Sequence, residues 1–197
     1  MPHIIGVEQS ALIGGRIIQG SVFITNEVVD DWRKNSIKGL VIKLDFEKAY
    51  DKVNWNYLLS MKKKFGFPQK CGRFEHAFNK AREPGLLKGV SIGPNRIIVS
   101  HLQFADDAVV FYEAEFTEVL NVRRILRCFE LISGLKIHFH KSVLCGIGVD
   151  HDLTKSLADL LKCMVQSLPL NYLGMPLGAS PRFRATWNLL LTSSRGN

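Results

Sequence analysis

An α+β fold is predicted by three features of the sequence. Apolar residues recur at helical spacing from Ile17 to Arg33 and again from Phe116 to Phe129. Between them, Leu40-Val41-Ile42-Lys43-Leu44 is a short β-rich run that ends on Asp45. Two turn signals, Gly93-Pro94-Asn95 and Phe104-Ala105-Asp106-Asp107, each separate apolar stretches, as the tips of hairpins do.

The first helix follows a Gly-Gly turn and carries Ile17, Ile18, Val22, Ile24, Val28, Val29 and Trp32 on one side, with Glu27, Asp30 and Asp31 between them. Lys34 to Gly39 breaks it, and the Leu40–Leu44 run then delivers a carboxylate at its C-terminal end. A second helix is expected from Asn54 as cap to Phe65, closed by Lys62-Lys63-Lys64 at its negative dipole end and stopped by Gly66-Phe67-Pro68. After a short segment from Phe74 to Arg82, strands Gly89–Ile92 and Arg96–Gln103 flank Gly93-Pro94-Asn95, and the second runs into the Asp pair. Gly134 is placed to end the helix that begins near Phe116. Leu135 to Phe139 alternates like a half-buried strand, and a last helix is expected at about Thr154 to Met164. Leu168-Pro169-Leu170 and Gly174-Met175-Pro176 mark a break and a turn beyond it.

Composition narrows the class. With 197 residues and 46% apolar content the chain can bury a core, and it is not a disordered composition. A formal charge of +8 favours polyanionic partners, nucleic acid first among them. Cys71, Cys128, Cys145 and Cys163 match no zinc spacing and no compact disulfide framework, so they read as reduced core thiols. No run of 18 apolar residues occurs, and Met1 to Gly6 lacks a signal-peptide layout. The expected location is intracellular, in nucleus or cytoplasm.

Asp45 ends one strand, while Asp106 and Asp107 sit at a hairpin turn. If these strands are neighbours in one antiparallel sheet, the three carboxylates converge, and hard Mg²⁺ ions take oxygen ligands of this kind. Two such ions about 3.5–4 Å apart serve in-line phosphoryl transfer. The plainer alternative has Asp45 capping a helix and Asp106-Asp107 occupying a tight turn. Spacing alone leaves the two level.

A family resemblance tips the balance. Gly39-Leu40-Val41-Ile42-Lys43-Leu44-Asp45-Phe46-Glu47-Lys48-Ala49-Tyr50-Asp51-Lys52-Val53-Asn54-Trp55 resembles the first catalytic motif of reverse transcriptases from LINE-type (non-LTR) retrotransposons, particularly those of plants. His101-Leu102-Gln103-Phe104-Ala105-Asp106-Asp107 resembles their catalytic Asp-Asp hairpin, and Ser133 to Ser142 their lysine motif. Leu168 to Gly178 is similar to their primer-grip hairpin, and Gln9 to Arg16 to the fingers segment before the palm. Five motifs in the family's order span Gln9 to Gly178.

The resemblance implies a palm-like antiparallel sheet with helices packed on one face. It divides the chain into partial fingers (1–38), a palm with an internal deletion near 73–76 (39–165), a primer-grip hairpin (166–180) and the truncated start of a thumb or a tail (181–197). It also implies that Asp45, Asp106 and Asp107 bind Mg²⁺, or Mn²⁺ in its place, with the Phe46 backbone carbonyl as a further ligand. Tyr50 would exclude a ribose 2′-hydroxyl, Arg16 would contact the triphosphate, and Lys141 would neutralise or protonate the departing pyrophosphate. Tyr172, Leu173 and Gly174 would hold the primer terminus. The implied partners are an RNA template, a DNA primer and deoxynucleoside triphosphates.

The departures are equally specific. Only 36 residues, Gly66 to His101, lie where the family places further strands, a glycine-rich turn and a long palm helix, and no Gln-Gly-Asp-Pro-like segment occurs. A deletion or mis-spliced gene model accounts for this, and impaired polymerase activity is expected. A catalytically inactive nucleic-acid-binding relic is the alternative. A two-metal nuclease lacks support, since no further Asp, Glu or His cluster accompanies the triad.

Overall fold

A computed structural model describes residues 18–47, 73–92, 96–104 and 107–179. The helix expected between Asn54 and Phe65 lies outside them, as do Arg16, Tyr50 and Asp106.

Helix α1 spans Ile18–Lys34 and turns at Ser36 into β1, Gly39–Leu44, followed by the two-residue β2, Phe46–Glu47. Helix α2, Arg73–Arg82, leads to β3, Val90–Ile92, β4, Ile97–Val99, β5, His101–Phe104, and β6, Asp107–Glu113. Helix α3, Phe116–Ser133, is followed by β7, Lys136–Ile137, and β8, Val143–Ile147. Helix α4, His151–Leu161, then β9, Met164–Val165, and the hairpin β10, Leu170–Tyr172, with β11, Met175–Leu177, complete the described chain. The fold is α+β, as expected.

The central sheet has the order β5-β6-β1-β8-β9. It is antiparallel except for the β8–β9 pair. β1 sits at its centre, which explains its apolar run: Leu40, Val41, Ile42 and Leu44 are all buried because the strand is covered on both faces. On one face, Leu40, Ile42, Leu44, Val110 and Tyr112 pack with Phe78 of α2, Val122, Leu126 and Phe129 of α3, and Leu157 and Leu161 of α4. On the other, Val41, Val109, Phe111 and Cys145 pack with Val28, Val29 and Trp32 of α1 and with Leu170, Tyr172 and Leu177 of the β10–β11 hairpin.

The expectation that helices cover one face is therefore corrected. Helix α1 lies on the opposite face from α2, α3 and α4, because its buried stripe meets the odd-numbered side chains of β1. Gly39 allows the close approach, since a Cβ there would run into the Trp32 ring.

Several element boundaries also differ from expectation. The strand expected from Arg96 to Gln103 divides at Ser100, where β4 leaves its pairing with β3 and β5 takes up β6. The β-run expected from Leu135 to Phe139 is a strand only at Lys136–Ile137, because Phe139 and His140 enter a turn closed by Lys141 N–H and Ser142 N–H onto the His138 carbonyl. The last helix starts at His151 instead of Thr154, since the Asp150 carboxylate accepts the amides of Asp152 and Leu153 as an N-cap. It ends at Leu161, with Lys162 left-handed beyond it, so Met164 belongs to β9. Gly134 ends α3 in the left-handed conformation, as the sequence predicts. Cys145 is buried, but Cys128 is exposed on α3 and is not a core thiol.

No helix among the described residues is long and apolar enough to cross a membrane.

Candidate metal site at one end of the sheet

β1 and β6 run antiparallel with Leu44 opposite Ala108 as their last registered pair. One step further along this register, Asp45 faces Asp107. The main chain of Asp45 is turned the other way: its N–H donates to Ser142 Oγ at 3.1 Å and its carbonyl accepts from His138 N–H at 2.7 Å. Asp45 and Asp107 thus occupy a pair of the narrow, non-hydrogen-bonded kind, whose Cα atoms typically stand about 4.5 Å apart.

Side-chain alternation puts both carboxylates on the face that also carries Val41, Lys43 and Val109. Asp107 is the first residue of β6 and pairs with Phe104; Ala105 and Asp106 lie outside the described residues.

Phe46 pairs with Ile137 in the β2–β7 ladder, and the His138 N–H to Asp45 carbonyl bond makes this again a non-hydrogen-bonded pair. The Phe46 carbonyl consequently faces away from β7, on the side where β6 begins. Its ring meets Phe129 edge-on at 5.9 Å, which anchors β2 to α3.

The β10–β11 hairpin covers the same face. Its loop residues Leu173 and Gly174 both have positive φ, 54° and 75°, the geometry of a two-residue turn matched to strand twist. Tyr172 is fully buried, and its hydroxyl has no hydrogen-bond partner among the described residues. Burial first, and then the negative charge of Asp107, hold that hydroxyl well above the ordinary tyrosine pKa. Tyr172 packs with Val41 and Val109, on the face that carries Asp107.

Lys43 joins them. Its ammonium lies 5.7 Å above the Tyr172 ring and 3.3 Å from the Asn171 carbonyl, so β1 clamps the hairpin directly. Sequence reasoning passed over Lys43. The available signal was a lone lysine in an apolar strand, two residues before Asp45 and therefore on its face. At the other end of the hairpin, Gly178 is bound twice to α1, donating to Asn26 Oδ1 at 2.6 Å and accepting from Arg33 at 3.1 Å.

Lys141 is exposed in the turn that precedes β8, next to Ser142, and so stands at the same end of the sheet as Asp45. The sheet therefore gathers Asp45, Phe46, Asp107, Lys141 and the Tyr172–Gly174 turn about one end of β1. Arg16, Tyr50 and Asp106 lie outside the described residues and are not located.

The donor chemistry suits a hard divalent cation. Two carboxylates and a main-chain carbonyl are oxygen donors of the class such an ion takes, and opposed like charges gain by sharing a cation. Among the described residues no group of three His, Cys, Asp or Glu side chains forms a complete metal cage. A cavity of about 750 Å³ lies elsewhere, between the β2–β7 ladder and the C-terminal ends of α3 and α4, lined by Arg127, Lys136, His138 and Lys162 among others. Cations at helix C-termini are favoured by the carbonyl dipoles there, so their presence needs no ligand.

No protein-family model matches the chain. Among solved structures, a microbial GGDEF domain, described for a novel interaction mode with bis-(3,5)-cyclic di-GMP, is similar over 71% of this chain and 78% of its own, at 14% identity and a TM-score of 0.33. Similarity at that level carries no inference about this chain.

Proposed function

We propose that the chain is a fragment of an RNA-directed DNA polymerase, the reverse transcriptase domain of a plant LINE-type retrotransposon, with the central sheet as its palm. The observation that carries this reading is the Asp45–Asp107 juxtaposition at the ends of adjacent antiparallel strands, in a chain whose five motifs follow that family's order. Divalent cations bound there would activate a primer 3′-hydroxyl and offset charge on the leaving pyrophosphate.

The residues of the chain divide the remaining work. Asp45 and Asp107, with Asp106, hold the metal. The Tyr172–Gly174 turn, clamped by Lys43, orients the primer terminus against them, and Lys141 offers its ammonium to the pyrophosphate. Arg16 and Tyr50 take the triphosphate and the sugar.

Primer extension on an RNA template with Mg²⁺ tests the proposal. Slow incorporation by the wild type, abolished in Asp106→Asn and Asp107→Asn, is expected; extension insensitive to both substitutions contradicts it.

One further reading is favoured by a specific feature. Between Gly66 and His101 the chain has 36 residues, and after α2 it passes through Gly85 into β3, where the family has a long palm helix and further strands. With a charge of +8, the chain would then be a nucleic-acid-binding relic that retains a metal site but positions no template. Salt-sensitive binding of primer-template without any incorporation distinguishes that outcome.

A further inference from the structure

Asp45 is the residue on which the proposed site turns, and its backbone is fixed by an unusual contact. Along β1, Lys43 is opposite Val143 of β8, and main-chain groups of Lys43 and Asp45 both face that neighbour. In a continuing ladder the Asp45 N–H would go to the Lys141 carbonyl. The chain has already turned there: Lys141 N–H and Ser142 N–H both close onto the His138 carbonyl, at 2.9 Å and 3.0 Å. A side chain takes the vacant place. Ser142 Oγ accepts the Asp45 N–H at 3.1 Å and donates to the His138 carbonyl at 3.1 Å.

The serine is itself held rigidly. It is fully buried, and its carbonyl accepts from Met164 N–H at 2.9 Å, which ties it to β9. On the other side of Asp45, His138 N–H grips the Asp45 carbonyl at 2.7 Å. Both main-chain groups of Asp45 are therefore set by the 138–142 turn, and one of the two bonds depends on a single hydroxyl.

We infer that Ser142 is a positioning residue for Asp45, fixing that carboxylate opposite Asp107 and holding the Lys141 turn in a constant relation to both. The inference rests on the reading of Asp45 and Asp107 as metal ligands. Groups that orient a metal ligand by hydrogen bonding commonly alter metal affinity about 10- to 100-fold when removed. Serine suits the position because its short side chain donates and accepts at once, bridging an amide and a carbonyl that a main-chain ladder would leave unjoined. Alanine would leave the Asp45 N–H without a partner and free β1 to fray from its last residue.

The test is the Mg²⁺ concentration that gives the half-maximal rise in melting temperature of the full chain, for wild type, Ser142→Ala, Ser142→Thr and Asp107→Asn. A rise in that midpoint of about tenfold in Ser142→Ala, with Ser142→Thr within about twofold of wild type, is expected. A Ser142→Ala midpoint equal to wild type, even with a lowered metal-free melting temperature, overturns the inference and leaves the metal site standing. Absence of any Mg²⁺ response in wild type, or an unchanged midpoint in Asp107→Asn, overturns the metal reading and the inference with it. Should Ser142→Ala fail to fold, Ser142→Cys, which keeps the volume and weakens the acceptor, is read in the same way.

Discussion

Asp45 and Asp107 stand opposite one another at the ends of adjacent antiparallel strands, one register step beyond the Leu44–Ala108 pair and on the face covered by Tyr172. Two carboxylates so placed repel in the absence of a cation. Asp107→Asn should therefore raise unfolding free energy by about 0.5 kcal/mol in metal-free buffer, the order of a like-charge cross-strand pair. Urea denaturation in the presence of a chelator measures it, and a loss of stability would mean that the two carboxylates do not oppose each other.

The clamp from β1 to the hairpin is open to the same kind of measurement. Lys43→Met keeps the aliphatic stem but removes the contacts to the Tyr172 ring and the Asn171 carbonyl. A cost of about 1 kcal/mol is expected, with faster amide exchange concentrated in β10 and β11. Uniform exchange across the whole sheet would show that Lys43 does not hold the hairpin.

Gly178 fixes the far end of that hairpin. Its φ is +78°, and a Cβ would stand 2.6 Å from the Leu168 side chain. Gly178→Ala should cost about 1–3 kcal/mol, whereas Gly20→Ala, in α1 with nothing within 4 Å of a new Cβ, should stabilise by about 0.5 kcal/mol. Denaturant midpoints of the two variants should move in opposite directions.

His101 predicts an acid sensitivity. It is fully buried between Ser100, 3.0 Å from its Nδ1, and the Phe78 ring, and burial, with Arg82 adding to it, lowers its pKa from 6.5 to about 3. The unfolded chain takes up a proton that the folded chain refuses, so this contribution is complete above pH 6.5 and is lost as pH falls toward 3. Its slope reaches about 1.4 kcal/mol per pH unit. Stability measured from pH 7 to pH 4 should fall less steeply in His101→Gln than in wild type; identical slopes would show that His101 is not the residue responsible.

Much of this architecture was legible in the residues, and the gaps have physical causes. Leu40–Leu44 reads as a strand because β-branched and aliphatic residues bounded by Gly39 and Asp45 suit a strand buried on both faces. Val143–Ile147 was not singled out as a strand, since Gly146 interrupts its apolar pattern. A Cβ at Gly146 would meet Thr154 of α4 at 2.5 Å, so that glycine answers to a helix distant in sequence. The amphipathic stripe of α1 shows that one side is buried but not which face of the sheet receives it. In the site, Asp45 and Asp107 stood out by residue type, while Ser142 and Lys43 depend on register and on hydrogen bonds that no local pattern encodes.

The most direct test of the Asp45–Asp107 site is a Mn²⁺ titration of the full chain followed by electron paramagnetic resonance, comparing wild type with Asp45→Asn and Asp107→Asn. Saturable binding by the wild type, weakened about tenfold or more in each variant, is the predicted result. Superimposable titrations for all three proteins would contradict a metal site at this end of the sheet.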